Sequence, residues 1–302
     1  MRIFFFTLTA LISAGLFVNA QESFDDSLAS LKGAVEKKDA AEVKDFAAKT
    51  WKAASKFTVA PAPGTTQSEL DKEQVNQAKE AQSYAEYALY STALASEGDV
   101  RVDLFAALEE LAPASKYLND GYSYYFAALT QTGGTAKIPA IAEKAIKSLP
   151  NSPDVLEELM NLAAQKNQNE KAGAYAQRLI TALGKRPKSD VIPDAEWAKK
   201  KNAMIGRAHM INGLVLVAQE KNFRADQELR TALAMVTDDQ AKAAVLFNLA
   251  MANYKLGSVG LNKQQILEAA KFSQQCAAIT SQYQAQCSHN VSAMKTYAAN
   301  MH

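Results

Sequence analysis

The chain has 302 residues, 48% of them hydrophobic, with 33 Lys and Arg against 32 Asp and Glu. Near-neutral charge excludes a general polyanion binder, which needs a cation surplus on one face. Thirteen Gly and eight Pro are too few for a sandwich or barrel of many short strands, whereas Ala47-Ala48, Ala106-Ala107, Ala163-Ala164 and Ala269-Ala270 favour helix.

At the N-terminus, Arg2 is the only charged side chain before Glu22, and an apolar run extends from Ile3 to Val18. Val18-Asn19-Ala20 then places small or permissive residues at the usual cleavage spacing. The run is short of the ~20 residues a helix needs to cross a bilayer. Residues 1–20 therefore read as a cleaved secretory signal, with a retained membrane anchor as the alternative. No cysteine stands at the cleavage position to carry a lipid, and no later segment is apolar enough to span. The mature chain is expected to have no transmembrane segment and no net charge.

An N-terminal helical hairpin is expected over residues 21–57, with helices near Phe24–Lys37 and Asp39–Phe57. Pro61, Pro63 and Gly64 make residues 58–68 a linker. Repeated helical hairpins follow over 69–184. Within them Gly133-Gly134 marks a turn and Pro139 suits the first turn of the next helix. Pro187 and Pro193 make 185–194 a second irregular stretch, and hairpins resume over 195–302. Lys185, Arg186, Lys188 and Lys199-Lys200-Lys201 read as a solvated helix end. Ser281–Asn300, with Tyr283, Val291, Met294 and Tyr297, reads as a C-terminal capping helix.

Cys276 and Cys287 sit in helical pattern on either side of a break near Ile279–Ser281. Two antiparallel helices joined there would bring them together, and an exported chain favours oxidation, so a disulfide across the last hairpin is expected. A buried thiol pair and an exposed redox pair are the alternatives, the latter weakened by the absence of CxxC spacing.

The repeats are clearest from Ala145 to Ala176. Ser152 suits an N-cap and Pro153 a first helical position. An amphipathic run Val155–Gln165 follows, Asn167-Gln168-Asn169 breaks it, and Glu170–Leu183 resumes it. Leu156, Leu159, Met160 and Ala163, followed by Ala172, Ala176 and Leu179, resemble the tetratricopeptide repeat, whose pattern is W-x2-L-G-x2-Y, then A-x3-F and a closing Pro over about 34 residues. The same template fits Tyr84, Tyr87, Ala88 and Ser91 with Val100, Leu104 and Ala107. It fits Tyr122, Tyr125, Phe126 and Leu129 with Ile138, Ala142 and Ala145. It fits His209, Asn212, Gly213 and Leu216 with Ala225, Leu229 and Ala232, and finally Leu246, Leu249, Ala250 and Asn253 with Ala269, Ser273 and Cys276. The offset from opening residue to small residue is 16 in the first four and 23 in the fifth, which implies an extra seven residues in a turn Gly257–Gln264. Only Gly213 keeps the family's glycine, and no opening Trp survives. The fold class implied is an all-α solenoid of five to six antiparallel hairpins with a C-terminal capping helix.

No sequence pattern supports catalysis. His209, His289 and His302 lack partners at metal-ligand spacing, HExxH is absent, and there is no Walker loop, GxGxxG or GxSxG. His209 reads as a core or groove histidine. Glu109-Glu110 and Glu157-Glu158 are neighbours about 100° apart on a helix and read as solvated faces. The expectation is no catalytic residue, no metal and no cofactor.

Tetratricopeptide arrays bind extended or helical peptides on the concave face lined by first helices. The resemblance places on that face Ala85 and Leu89, Ser123 and Ala127, Glu157 and Asn161, Met210 and Leu214, Phe247 and Met251, with Tyr254 one turn on. The family's Lys and Asn clamp for a terminal carboxylate is missing. A Met-containing apolar groove suits an amphipathic helix. Alternatively the chain's own C-terminal helix, or a second copy, covers it. Seven of the eleven tyrosines lie between Tyr84 and Tyr125; most fit the core, while Tyr90 and Tyr124 fall off its stripe. The function expected is a non-catalytic protein or peptide scaffold in the periplasm or outside the cell. A carbohydrate or envelope-polymer binding module and a self-associating homo-oligomer are the alternatives, and no nucleic acid is implied.

Overall fold

The computed structural model describes residues 12–59, 68–189 and 191–301. Regular structure among these residues is helical throughout, with thirteen α-helices and one 3-10 turn. The chain divides into two compact units, Met1–Ile138 and Pro139–His302. The signal expected over 1–20 lies largely outside the described residues, and from Ile12 the chain belongs to a helix. Most of the linker expected over 58–68 also lies outside them.

The first unit contains α1 (Ile12–Lys37), α2 (Ala40–Ser55), α3 (Glu69–Ala95), α4 (Gly98–Leu111) and α5 (Lys116–Gln131), then a 3-10 turn Thr135–Lys137. The second contains α6 (Ile138–Ser148), α7 (Pro153–Gln165), α8 (Asn169–Lys185), α9 (Asp194–Ala218), α10 (Asn222–Met235), α11 (Asp239–Val259), α12 (Lys263–Ala277) and α13 (Gln284–Ala299). Helices pack on their sequence neighbours, α1 through α5 in the first unit and α7 through α13 in the second. Alternate helices also touch: α1 with α3, α2 with α4 and α3 with α5 in the first unit, and α7 with α9, α9 with α11 and α11 with α13 in the second. This sequential packing, each hairpin burying its apolar face against the next, is consistent with a helical solenoid.

One tight turn closes three hairpins. Lys38, Asn167 and Glu220 adopt left-handed backbone with φ of 58°, 54° and 57°. In each, that residue's N–H donates to the carbonyl three residues back, and the following N–H donates to the carbonyl five back: Asp39 to Ala34 (3.1 Å), Gln168 to Ala163 (2.9 Å) and Lys221 to Leu216 (2.9 Å). This Schellman pairing satisfies carbonyls that the helix end would otherwise leave unpaired. Leu261 (φ 50°) occupies the same place between α11 and α12. Five residues beyond each left-handed residue stands a fully buried side chain: Val43, Ala172, Ala225 and Ile266.

This regularity corrects the fifth repeat. The segment expected as an expanded turn is mostly helix, because α11 runs to Val259 and α12 starts at Lys263. Ala250 precedes Ile266 by the same sixteen residues as the other repeats. The helices meet closely where Gly257 faces Ile266, whose Cδ1 lies 2.7 Å from the place a β-carbon would take.

The α3–α4 hairpin departs in the opposite sense. Ala78, Ala81, Ala85, Ala88, Leu89 and Ala93 form the buried stripe of α3. Tyr87, expected in the core, is 46% exposed, and Val100, expected as the small crossing residue, is 47% exposed. Alanines permit close approach of α3 to its neighbours, and Tyr84 and Tyr87 are left partly or largely exposed beside them.

Between α8 and α9, the described residues 186–189 and 191–193 are anchored to the second unit. Ser189 Oγ accepts from the N–H groups of Val191 and Ile192, and Ile192 is buried with Trp197, Leu183 and Met204. The Arg186 guanidinium lies 4.9 Å from the Trp197 ring centroid, and Lys201 Nζ donates to the Arg186 carbonyl at 3.2 Å. Arg186, Lys200 and Lys201 are therefore held by the fold, whereas Lys185, Lys188 and Lys199 are exposed, as a solvated end would be.

At the C-terminus, Cys276 and Cys287 form a disulfide between α12 and α13, with Cα atoms 5.9 Å apart. Helix α13 buries Cys287, Met294 and Ala298 and leaves Ser288, His289, Ser292 and Lys295 exposed. One apolar and one polar side is the form a terminal helix needs.

Candidate protein-binding face

Helices α7, α9, α11 and α13 stand side by side in the second unit, and the polar end of their shared face is held by ion pairs. Arg207 Nε lies 2.5 Å from Glu157 Oε1. Lys200 Nζ lies 2.7 Å from Oδ1 of buried Asp154. Both pairs tie α9 to α7. Neighbouring Glu158 is half-buried, and its carboxyl is pushed up by burial and then by the Glu157 charge. These carboxylates are thus engaged or partly desolvated, which corrects the reading of them as solvated. Asn161 lies half-buried one turn beyond Glu157.

The apolar end begins on α9 with Met210 and Leu214, one turn apart and both partly buried. They rest on a core that includes Leu216, Leu229, Leu246 and Leu249. On α11, Phe247, Met251 and Tyr254 extend the row, each half-buried on the same core. The C-terminal segment sits against these three. Tyr283 stacks on Phe247 with centroids 5.0 Å apart, Asn290 Nδ2 lies 3.8 Å from Met251 Sδ, and Tyr297 meets Tyr254 edge-on at 5.6 Å.

Behind this row, His209 Nδ1 lies 2.5 Å from Glu228 Oε2 of α10. The hydrogen bond from His209 holds the Glu228 carboxyl below its usual range, against the opposing effect of burial. His209 thus joins the two helices of its hairpin.

In the first unit, Ser123 is half-exposed and Ala127 exposed on α5. Ala85 and Leu89 are buried and line no groove, a correction that follows from the alanine stripe of α3. Tyr90 is likewise buried, packed on Phe105 at 6.3 Å and Tyr117 at 5.5 Å. The exposed tyrosine is Tyr87, flanked by Tyr84 at 6.3 Å and Tyr117 at 5.9 Å. Glu109 is buried and accepts from the Tyr122 hydroxyl at 3.0 Å. Burial, reinforced by the Glu109 charge, pushes the Tyr122 hydroxyl well above the ordinary phenol range and Tyr125 up to about 12.

Among the described residues, no group of three or more His, Cys, Asp and Glu side chains is placed to hold a metal ion. No described helix is long and apolar enough to cross a membrane. No family model, curated protein or solved structure matches the chain.

The tetratricopeptide resemblance assigns Met210, Leu214, Phe247, Met251 and Tyr254 to one face, and the structure packs all five, each partly buried, on the same core. The alternative that the C-terminal helix lies over this row holds for Phe247, Met251 and Tyr254, through Tyr283, Asn290 and Tyr297, while nothing in the sequence points to Arg207. The Arg207–Glu157 pair spans fifty residues, a distance at which no local pattern links charges.

Proposed function

We propose that the chain is a non-catalytic interaction module of the tetratricopeptide kind, exported from the cytoplasm, that holds the apolar side of a peptide or helix against α9 and α11. The observation carrying this reading is the partly buried Met210–Leu214 pair, continuous in sequence pattern with Phe247 and Met251 and on the same helices as Asn161 and the Glu157–Arg207 pair. Methionine adapts its shape to varied partners, and side chains one turn apart match the anchors of an amphipathic helix. The recurring left-handed turn, with a buried residue five places on, supports a repeat of this kind. The Cys276–Cys287 disulfide suits an oxidising compartment.

Selection from a displayed library of random peptides tests the proposal. Enriched sequences should carry apolar residues at helical spacing, and binding should drop on Met210→Glu and Leu214→Glu while circular dichroism stays unchanged. Enrichment that survives both substitutions, or no enrichment over a scrambled control, would sink the groove reading.

A further inference from the structure

Three of the most exposed apolar side chains among the described residues belong to two neighbouring hairpins of the second unit. Val259 is 86% exposed, Leu261 78% and Phe223 65%. Phe223 opens α10 just after the turn from α9, while Val259 ends α11 and Leu261 lies in the turn to α12. Between the two turns lies an open cleft of about 660 Å³ lined by Phe223, Leu256 and Val259 together with Lys221, Arg224, Lys255 and Glu220. Residues 219–224 and 255–263 together carry four cations, Lys221, Arg224, Lys255 and Lys263, against one carboxylate, Glu220. All four cations are exposed. In a chain whose charges otherwise balance, this edge is locally positive.

Leu261 supplies an independent observation. Its φ of 50° is left-handed, a conformation that penalises a side chain with a β-carbon and that Gly or Asn would adopt at lower cost. The equivalent residues Lys38, Asn167 and Glu220 are polar. Leu261 is neither favoured by its backbone nor buried in the core, so the fold gives no reason for an apolar residue there.

We propose that this edge seats on the anionic surface of a lipid bilayer. Phe223, Val259 and Leu261 enter the boundary between headgroups and acyl chains, while Lys221, Arg224, Lys255 and Lys263 lie level with the headgroups. A peptide groove half-buries its anchors, as at Met210 and Leu214. Here the apolar groups stand out from the turns, which a bilayer accepts and a narrow peptide does not cover. Apolar insertion combined with a basic collar is the usual physics of peripheral attachment to anionic leaflets.

Flotation of the full chain with vesicles of phosphatidylcholine, alone or mixed with phosphatidylglycerol, tests this. The apolar run Ile3–Val18 is common to every variant, so differences between variants are what is read. Wild type should prefer the anionic vesicles and lose that preference as salt rises. Lys255→Glu with Lys263→Glu should weaken binding more than roughly fivefold, the change expected for the loss of a single cation near such a surface. Leu261→Gly separates binding from folding, because it should raise the melting temperature and still weaken binding. The proposal is overturned if Leu261→Gly and the double charge reversal both float like wild type. It is equally overturned if the chain ignores vesicles yet binds a soluble acidic, leucine-rich peptide through these residues, which would assign the edge to a protein partner.

Discussion

A β-carbon on Gly213 would stand 2.6 Å from both Cγ and Cδ2 of Leu229. At this point α9 and α10 cross closely, and only a hydrogen fits between them. Gly213→Ala is therefore expected to lower stability by about 1–3 kcal/mol through overpacking, outweighing the roughly 1 kcal/mol that Ala gains over Gly in a helix interior. Gly184, exposed near the end of α8, has nothing within 4 Å of the equivalent position, so Gly184→Ala should be neutral or mildly stabilising. Urea unfolding of the two variants checks the contrast. Equal midpoints would mean that Leu229 moves aside freely.

The same crossing shows what was legible. Gly213, Ala225 and Leu229 were placed correctly because a narrow crossing demands a small residue opposite a large one, a demand written in local spacing. In α3 that logic misled, since either Tyr84 and Tyr87 or the alanine row could form the inner stripe. A tyrosine has an apolar body and a polar tip, so its type does not say whether it faces in or out. The α11–α12 turn was misread for another reason. Its left-handed residue is Leu261, and Gly257, which reads as the start of the turn, instead lies inside α11 where it makes room for Ile266. Contacts such as Arg207 with Glu157 and Tyr283 with Phe247 depend on stacking of whole hairpins and have no local signature.

Burial of Tyr122 and Tyr125 predicts a specific alkaline weakness. Both phenols are raised in the folded chain, chiefly by burial and then by Glu109, so the folded state keeps protons that the unfolded state releases above about pH 10. The folded state then binds more protons than the unfolded one, and stability falls as pH rises through that range. Absorbance titration at alkaline pH should show these two phenols ionising together with the loss of helical ellipticity. In Tyr122→Phe the ellipticity loss should shift to higher pH. That variant should also be less stable at neutral pH by roughly 1–3 kcal/mol, because Glu109 loses a donor in a buried site.

The Cys276–Cys287 bond should matter mainly to the C-terminal helix. It closes a short loop of eleven residues, and removing such a crosslink costs about 2–4 kcal/mol in the chain-entropy account. Helix α13 is held besides by the stacking of Tyr283 on Phe247, the edge contact of Tyr297 with Tyr254 and burial of Met294. Reduction, or Cys276→Ser with Cys287→Ser, is expected to leave α7–α10 protected and to accelerate amide exchange in α13. Uniform loss of protection across the second unit would show that its helices unfold as one cooperative block.

Acid should act through the His209–Glu228 contact. The Glu228 carboxyl is held below its usual value by the hydrogen bond from His209, the largest influence on it, with burial opposing. A carboxyl depressed in the folded state contributes stability that is present above its unfolded pKa of about 4.3 and lost as pH falls through the lower folded value. Glu228→Gln should therefore be less stable than wild type near neutrality, and the gap should close as pH drops below about 4. Urea midpoints for both proteins across that range would measure it. A gap that stayed constant down to acid would mean that the side chain's packing between α9 and α10, rather than its charge, holds the hairpin at this point.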